Sequence, residues 1–265
     1  TIAVDDEYTN FSGSGRLLVA AIPDHLNFFG GISQGFRAPN LMDLTSSLTF
    51  GAGTLQLGSP QLDPEQFVSY EIGVKARDEN WQADLAYFYT SIDDLVVRVP
   101  TSTAGVSQSV NGGEGYINGI ELGAAWRFLP ELTLFGNAFW QEGKIEQPTM
   151  LGGPMTEQWA SRMAPLQGQI GLRYEPNNLP IWIETLVRAA DEQDLLAPND
   201  VSDNRIPPGG TPGYVVAAVR GGWEVTEHWT LTAAVENLTD EDYRIHGSGQ
   251  NMPGVNFIVG VEGRF

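Results

Sequence analysis

The chain contains no cysteine and only two lysines, Lys75 and Lys144, among its 265 residues. Without cysteine there is no disulfide framework and no thiolate metal site. Acidic residues outnumber basic ones by 33 to 14, so the net charge is −19. This charge argues against a nucleic-acid partner, because phosphate binding requires clustered lysine and arginine. The acidity is instead typical of solvated loops.

Long apolar runs and helical periodicity are scarce as well. Apolar residues make up 42% of the chain but are spread evenly, and no stretch approaches the ~18 apolar residues of a membrane helix. A membrane-spanning β-strand needs only ~10 residues, of which half are apolar. A composition with 31 glycines and 7 tryptophans is therefore compatible with a β-barrel.

Apolar and polar residues alternate along most of the chain, and this alternation predicts strands with one apolar face. Strands that follow one another across a short turn pair as hairpins. We predict eleven antiparallel strands, at Phe11–Ile22, Leu26–Arg37, Glu65–Arg77, Trp81–Val99, Gly115–Phe128, Glu131–Lys144, Ala164–Glu175, Pro180–Asp191, Gly213–Val225, His228–Asn237 and Gly254–Phe265.

The connections between these strands alternate in length. Short turns are predicted at Pro23–His25, Asp78–Asn80, Leu129–Pro130, Pro176–Leu179 and Thr226–Glu227. Long loops are predicted at Ala38–Pro64, Pro100–Glu114, Ile145–Met163, Glu192–Pro212 and Tyr243–Pro253. Short turns at one end and long loops at the other are typical of outer-membrane β-barrels. The fold class predicted is an all-β, up-and-down transmembrane barrel.

The two faces of the last predicted strand differ in character. Its apolar side consists of Val255, Phe257, Val259, Val261 and Phe265, whereas Asn256, Glu262 and Arg264 lie on the other side. We expect the apolar side to contact outer-membrane lipid and the polar side to face a watery or plugged lumen. Tryptophans near strand ends predict girdles at the membrane interfaces, namely Trp81, Trp126, Trp140, Trp223 and Trp229.

No catalytic or metal-binding motif stands out. The three histidines are not at metal-ligand spacing from one another, and no nucleophile, zinc-protease or phosphate-loop pattern occurs. The acidic loop from Asp191 to Asp203 offers carboxylates for calcium, but its spacing matches no calcium-binding loop, which favours a solvated loop. We therefore predict no enzyme, no catalytic residue, no metal site and no cofactor.

Five segments carry a family resemblance. They read GFRAPN at Gly35–Asn40, LGSPQLDPEQFVSYEIGVK at Leu57–Lys75, GYINGIEL at Gly115–Leu122, RMAPLQGQIGLRY at Arg162–Tyr174 and VENLTDEDY at Val235–Tyr243. In this order, they resemble the C-terminal half of the barrel of TonB-dependent outer-membrane receptors, over essentially the whole chain. One departure is Val255 after Pro253-Gly254, where the family often has arginine.

The resemblance implies that residues 1–265 form the C-terminal part of a larger barrel. Complete members resemble plugged barrels of ~22 strands, so about 11–12 strands amount to half. The plug domain, the energy-coupling box and the early strands are missing, and Thr1 is not an initiator methionine. We expect a fragment or a trimmed product. The alternative is a passive, porin-like pore, which needs an even strand number and hence a twelfth strand from Thr1–Tyr8.

By resemblance, the full-length protein imports a scarce siderophore-, haem-, cobalamin- or glycan-like ligand or metal chelate across the outer membrane of a Gram-negative bacterium. Its partners would be outer-membrane lipid, the TonB complex, reached through the missing N-terminal region, and the barrel-assembly machinery, which would read Phe265 as an assembly signal. Ligand contacts are assigned by loop or lumen position to Arg37, Asn40, Trp159, Arg162, Arg205 and His246.

Overall fold

A computed structural model describes residues 7–50 and 54–265 of the chain. Nearly every regular element in this part is a strand, and the two helices are very short. The strands are β1 (Gly13–Ile22), β2 (Leu26–Arg37), β3 (Ser47–Phe50), β4 (Thr54–Leu57), β5 (Glu65–Arg77), β6 (Trp81–Pro100), β7 (Val106–Leu129), β8 (Leu132–Pro148), β9 (Met155–Trp159), β10 (Gln167–Tyr174), β11 (Ile181–Ala190), β12 (Tyr214–Thr226), β13 (Trp229–Glu236) and β14 (Asn256–Gly263). The helices are α1 (Leu41–Thr45) and α2 (Pro198–Val201).

Eleven strands form one continuous sheet in the order β1-β2-β5-β6-β7-β8-β10-β11-β12-β13-β14. Each of them pairs antiparallel with the next strand in this order, which is the up-and-down pattern expected from the alternating sequence. Within the described residues, β1 pairs only with β2 and β14 only with β13. The sheet is therefore open, and the predicted partial barrel of eleven main strands is confirmed.

All eleven predicted strands are present, but two of the predicted long loops contain additional strands and a third contains the first part of β7. Pro100–Glu114 was expected to be a loop, whereas β7 begins at Val106 and pairs with the extended end of β6. Ile145–Met163 was expected to be a loop, whereas β8 continues to Pro148 and pairs with β9. Ala38–Pro64 contains α1 and the β3–β4 hairpin, whose second strand pairs parallel with β7. The polar sequence of these segments misled the prediction, because strands that do not pack on an apolar surface need no apolar face.

Three glycines of the predicted loop Pro100–Glu114 and the strand that follows it, Gly112, Gly113 and Gly115, lie inside β7. Gly115 faces the carbonyl oxygen of Lys144 so closely that a Cβ at this position would lie 2.1 Å from it. A side chain there would therefore push β7 and β8 apart. Glycine at this position allows close backbone approach within the sheet rather than a turn.

The last strand is two residues shorter than predicted at each end, since β14 covers Asn256–Gly263 and not Gly254–Phe265. Its expected apolar side is strongly exposed, with relative accessibilities of 75% for Phe257, 78% for Val259 and 63% for Val261. On the other face of the sheet, charged side chains form a chain of ion pairs across β10 to β13. Arg173 lies 3.6 Å from Glu184, Arg220 lies 4.0 Å from Glu184, and Arg220 lies 2.8 Å from Glu236.

Four tryptophans lie at the end of the sheet with the short turns. Trp81 and Trp126 are directly paired across β6 and β7. Trp223 on β12 pairs with Leu231, two residues from Trp229 on β13. All four are exposed, as an interfacial girdle requires. Trp140 lies further along β8, away from this end.

The buried apolar core is small and lies at the long-loop end of the sheet. Ile92, Ile145, Ala160 and Met163 form its centre, and Phe67, Leu95 and Ile117 pack against them. Because Ala160 and Met163 belong to the loop after β9, this cluster fixes that loop against the strand ends. In the described residues, no helix has the length and apolarity required to span a membrane. The possible strand over Thr1–Tyr8 lies, apart from its last two residues, outside the described part of the chain.

Candidate functional site at the long-loop end

A cavity of about 320 Å³ lies at the long-loop end, between the extended ends of β6 to β9 and the two short helices. Its volume falls within the range that small-molecule sites occupy. The wall combines aliphatic residues of the strands and of the loop around α2 with polar side chains, among them one arginine, and with one indole ring. The polar and aromatic residues matter most for recognition. They include Arg98, Ser109, Gln147, Gln158, Trp159 and Asn199.

Asp43 closes one side of this cavity and connects it to two of the predicted site residues. Its carboxylate accepts hydrogen bonds from Arg37 Nη1 at 3.1 Å and from the backbone N–H of Asn40 at 3.1 Å. The Asn40 side chain accepts in return from the N–H groups of Met42 and Asp43, which completes a capping box on α1. Asn40 therefore holds α1 in place beside the cavity.

Arg37 makes a second, stronger interaction with a buried carboxylate. Glu65 is almost fully buried, and its two carboxylate oxygens accept bidentate hydrogen bonds from Arg37 Nε and Nη2 at 2.5 Å. The Val96 N–H also donates to Glu65 at 2.9 Å. A buried carboxylate requires such donors to offset its desolvation. The guanidinium of Arg37 is thus engaged by Glu65 and Asp43.

Trp159, the last residue of β9, is the one predicted site residue whose side chain lines the cavity. Lys144 Nζ lies 5.1 Å from its ring centroid, within the distance of a cation–π contact. The same ammonium group donates to Glu157 at 2.7 Å. The charge of Lys144 is therefore balanced within the sheet, and Trp159 is held in place at the cavity wall.

The opposite side of the cavity depends on a second buried carboxylate. Asp200 in α2 accepts hydrogen bonds from Ser161 Oγ at 2.5 Å, from the Arg162 N–H at 2.9 Å and from the Ala197 N–H at 3.3 Å. Ser161 and Arg162 belong to the loop after β9, whereas Asp200 belongs to the loop between β11 and β12. Asp200 therefore joins two loops that are far apart in sequence.

Two predicted site residues meet at Asp203. Arg162 Nη2 donates to Asp203 Oδ2 at 2.8 Å, and Arg205 donates from Nε and Nη2 to both carboxylate oxygens at 2.9 and 2.8 Å. Arg162 has a φ of 58°, a left-handed conformation in which the 2.9 Å bond from its N–H to Asp200 holds it. Both guanidinium groups remain nearly half exposed.

His246 lies in the loop between β13 and β14, and its Nδ1 is 2.9 Å from Thr211 Oγ1. Its Nε2 is buried and has no hydrogen-bond partner in the described residues. Burial lowers the pKa of His246 below 6.5, although the nearby Asp200 opposes this shift. His246 is therefore neutral at pH 7 and connects two long loops through Thr211.

Of the six predicted residues, only Trp159 lines the cavity. Arg37 and Asn40 hold the lining residue Asp43, whereas Arg162, Arg205 and His246 bind other residues of the long loops. The sequence pattern missed Arg98, Gln147 and Gln158, which point to the cavity from β6, β8 and β9. These three occupy ordinary strand positions, and no motif distinguishes them from other strand residues. Among the described residues, no group of three or more His, Cys, Asp or Glu side chains is arranged to hold a metal ion. Ligand contact by the six predicted residues stays a prediction.

A family model described as "TonB dependent receptor-like, beta-barrel" matches residues 2–238. Two named relatives share 26% identity with the chain over 248 residues. One is the vitamin B12 transporter BtuB of Vibrio vulnificus, where the match covers 91% of this chain and 35% of the relative. The other is the pesticin receptor of Yersinia enterocolitica, with 92% and 33% covered. The chain therefore spans about a third of the length of these relatives.

Solved structures share the fold at lower sequence identity. The copper transporter OprC superposes with a TM-score of 0.78 at 21% identity, over 96% of this chain and 39% of that protein. The FrpB iron transporter from Neisseria meningitidis superposes with a TM-score of 0.75 at 19% identity, over 95% and 39%. Both names describe transporters, and their similarity shows that the open sheet has the arrangement of part of a larger barrel.

Proposed function

This chain belongs to the TonB-dependent receptor β-barrel family, and we propose that it is the C-terminal barrel portion of an outer-membrane receptor that imports a scarce ligand. The full-length protein would bind this ligand outside a Gram-negative cell and release it into the periplasm. Energy would come from the inner membrane through the TonB complex, which would act on the N-terminal region. The ligand class would be siderophore-, haem-, cobalamin- or glycan-like.

One observation carries this proposal: an open antiparallel sheet whose family match covers most of the chain. Strands that pair only on one side would cost several kcal/mol per unsatisfied backbone group in lipid, so they require further strands. A larger barrel would supply the further strands, and a plug domain in its lumen would be the part on which the TonB complex acts. The exposed apolar face of β14 and the tryptophan girdle support a position in the outer membrane.

The long-loop end supplies the ligand site in this proposal. Its cavity is bordered by an ion-pair network around Glu65 and a hydrogen-bond network around Asp200, which fix the loops and so reduce the ordering cost of binding. Of the six residues proposed from position, Trp159 lines this cavity and Arg37 and Asn40 hold the lining residue Asp43. Arg162, Arg205 and His246 are proposed from their loop position. The barrel-assembly machinery and outer-membrane lipid are the further partners proposed, and Phe265 is the proposed assembly signal.

The porin-like alternative required the first and last strands to pair with each other. Within the described residues, β1 and β14 have one partner each and are not paired with one another. The alternative is therefore not favoured. No enzymatic activity is proposed, since the relatives that match are named as transporters and receptors.

The test uses the complete receptor that contains this chain, produced in Gram-negative cells with and without the TonB protein. We would compare the accumulation of cyanocobalamin, of a ferric siderophore and of the solutes that mass spectrometry detects in a complex medium. We expect at least one solute to accumulate only when receptor, TonB and proton gradient are all present. Accumulation that continues without TonB or after collapse of the gradient would instead indicate a passive pore.

A further inference from the structure

We infer that the long-loop cavity recognises a hydroxyl-rich ligand that carries a single oxyanion, a carboxylate or a phosphate monoester, and that Arg98 is the residue that binds this oxyanion. The inference rests on the proposed function, because it names the ligand class of the proposed site. It also adds Arg98 to the residues proposed from sequence position.

The guanidinium group of Arg98 is available to bind a ligand in the cavity. It is exposed near the end of β6 and lines the cavity, and within residues 7–50 and 54–265 it has no hydrogen-bond or ion-pair partner. The neighbouring cations are engaged: Lys144 by Glu157, and Arg37 by Glu65. Arginine presents a planar fork of N–H donors that matches the two oxygens of a carboxylate or phosphate. A free guanidinium in a concave site is therefore suited to one oxyanion.

The remaining polar wall is neutral. The amides of Gln147, Gln158 and Asn199 both donate and accept hydrogen bonds, so they can pair with ligand hydroxyl groups. The indole of Trp159 offers an apolar face for the carbon–hydrogen side of a ring. Asp43 is the other charged group, and Arg37 already balances its carboxylate. This set suits a polyol or sugar framework better than an apolar ligand.

The loops around the cavity argue against ligands with several negative charges. Asp191, Glu192 and Asp194 are exposed in the loop that leads into α2, and none of them forms an ion pair within the described residues. Their combined field repels polyanions during approach. A ligand with one negative charge on a neutral framework is repelled only weakly and can still bind Arg98.

The experiment measures binding to the purified complete receptor in detergent by isothermal titration calorimetry. The probes are glucuronate, glucose 6-phosphate, neutral glucose and citrate as the polyanion. We expect Arg98→Gln to weaken binding of glucuronate or glucose 6-phosphate at least about tenfold, and Arg98→Lys to restore part of it. Glucose binding should remain unchanged. Comparison of the two acid probes separates a carboxylate from a phosphate ligand.

Arg244→Gln provides the matched control, because Arg244 is a loop arginine at the same end of the sheet that hydrogen-bonds Asn251 and lies outside the cavity. If Arg244→Gln weakened binding of the acid probes by the same factor, the effect would come from the loss of any positive charge at this end of the sheet. That result would overturn the inference. Tighter binding of citrate than of the singly charged probes, or binding of none of the four probes, would overturn it as well. Binding does not require TonB, so these outcomes leave the transport test of the proposed function independent.

Discussion

At the scale of single residues, two buried carboxylates hold the long loops in place. Glu65 and Asp200 are both almost fully buried, and each accepts three hydrogen bonds from groups distant in sequence or in a neighbouring turn. Leaving such a carboxylate without donors would cost several kcal/mol, so each acts as a fixed point around which donors assemble. The loop conformation thus depends on a few acids rather than on a large apolar core.

The first prediction concerns Asp200. Asp200→Asn preserves the size of the side chain but replaces one acceptor oxygen by an N–H donor, which then faces either Ser161 or the Arg162 N–H. We expect a loss of about 1–3 kcal/mol in local stability, visible as faster hydrogen–deuterium exchange over residues 192–212 in the complete receptor. Asp194→Asn, an exposed acid in the same loop, is the control and should leave exchange unchanged. Equal protection in both variants would contradict the role of Asp200.

The second prediction concerns pH and His246. Its folded-state pKa lies below the unfolded value of 6.5 because of burial, so the open loop binds a proton more readily than the closed loop. The Thr211 contact therefore contributes fully above pH 6.5 and weakens as pH falls below it. We expect protection factors in residues 237–253 to stay constant above about pH 6.5 and to fall as the pH is lowered further. His246→Gln, which does not titrate, should abolish this pH dependence; a variant that retains it would exclude His246 as the cause.

At the scale of elements, the alternation of apolar and polar residues was sufficient to predict all eleven main strands. It failed at the start of β7 and the end of β8, where the strands continue beyond the predicted bounds. There the cross-strand partners supply the stability: Val97 pairs with Val110, and Val99 with Gln108. Pairing partners are a property of the folded sheet, so a local pattern cannot reveal them.

The candidate site was predictable only in part, for a similar physical reason. Loop position pointed to Arg37, Arg162 and Arg205, yet in the structure acids engage all three. Whether an arginine is free or paired depends on which acid the fold brings next to it, and Asp203 reaches Arg162 across 41 positions of sequence. No sequence motif distinguishes Arg98 as a site residue, because it is one residue of a regular strand.

The third prediction tests which face of β14 contacts lipid. Val259 and Ile258 are adjacent residues of similar size on opposite faces, with Val259 the more exposed. Val259→Arg should cost about 2–4 kcal/mol near the middle of the membrane, whereas Ile258→Arg on the lumen side should cost much less. Folding titrations of the complete receptor into lipid vesicles measure both. Equal costs would reject the assignment of the faces.

At the scale of the whole molecule, aromatic contacts hold the C-terminal residue against the end of the sheet that carries the short turns. Phe265 packs edge-on against Trp229, with ring centroids 5.6 Å apart, and stacks near His228 at 6.1 Å. The Arg264 N–H donates to the His228 carbonyl at 2.9 Å, which continues the pairing of β13 and β14 beyond the last strand residue. The C-terminal aromatic is therefore ordered yet exposed on the surface.

The fourth prediction separates assembly from stability. Deleting Phe265 removes two ring contacts but no strand pairing, so refolding of the complete receptor in detergent should change little. Insertion in cells should fall strongly if the assembly machinery reads this aromatic. Phe265→Tyr keeps an aromatic ring and serves as the control. The two measurements are yield in isolated outer membranes and the midpoint of urea refolding; normal insertion of the deletion variant would refute the proposal.

The final prediction is that residues Thr1–Phe265 alone do not form an actively transporting barrel. Eleven strands are well short of the ~22 of a plugged transporter, and in the described part of the chain β1 and β14 each have one free edge. Such edges expose unpaired N–H and C=O groups, which lipid does not tolerate. The isolated chain should therefore aggregate, pair with the missing strands when these are supplied, or close into a smaller barrel. Cells that produce only this chain should show no TonB-dependent uptake, whereas co-production of the remaining part of the receptor should restore it. Uptake by the chain alone would show that its two edges can be satisfied without further strands.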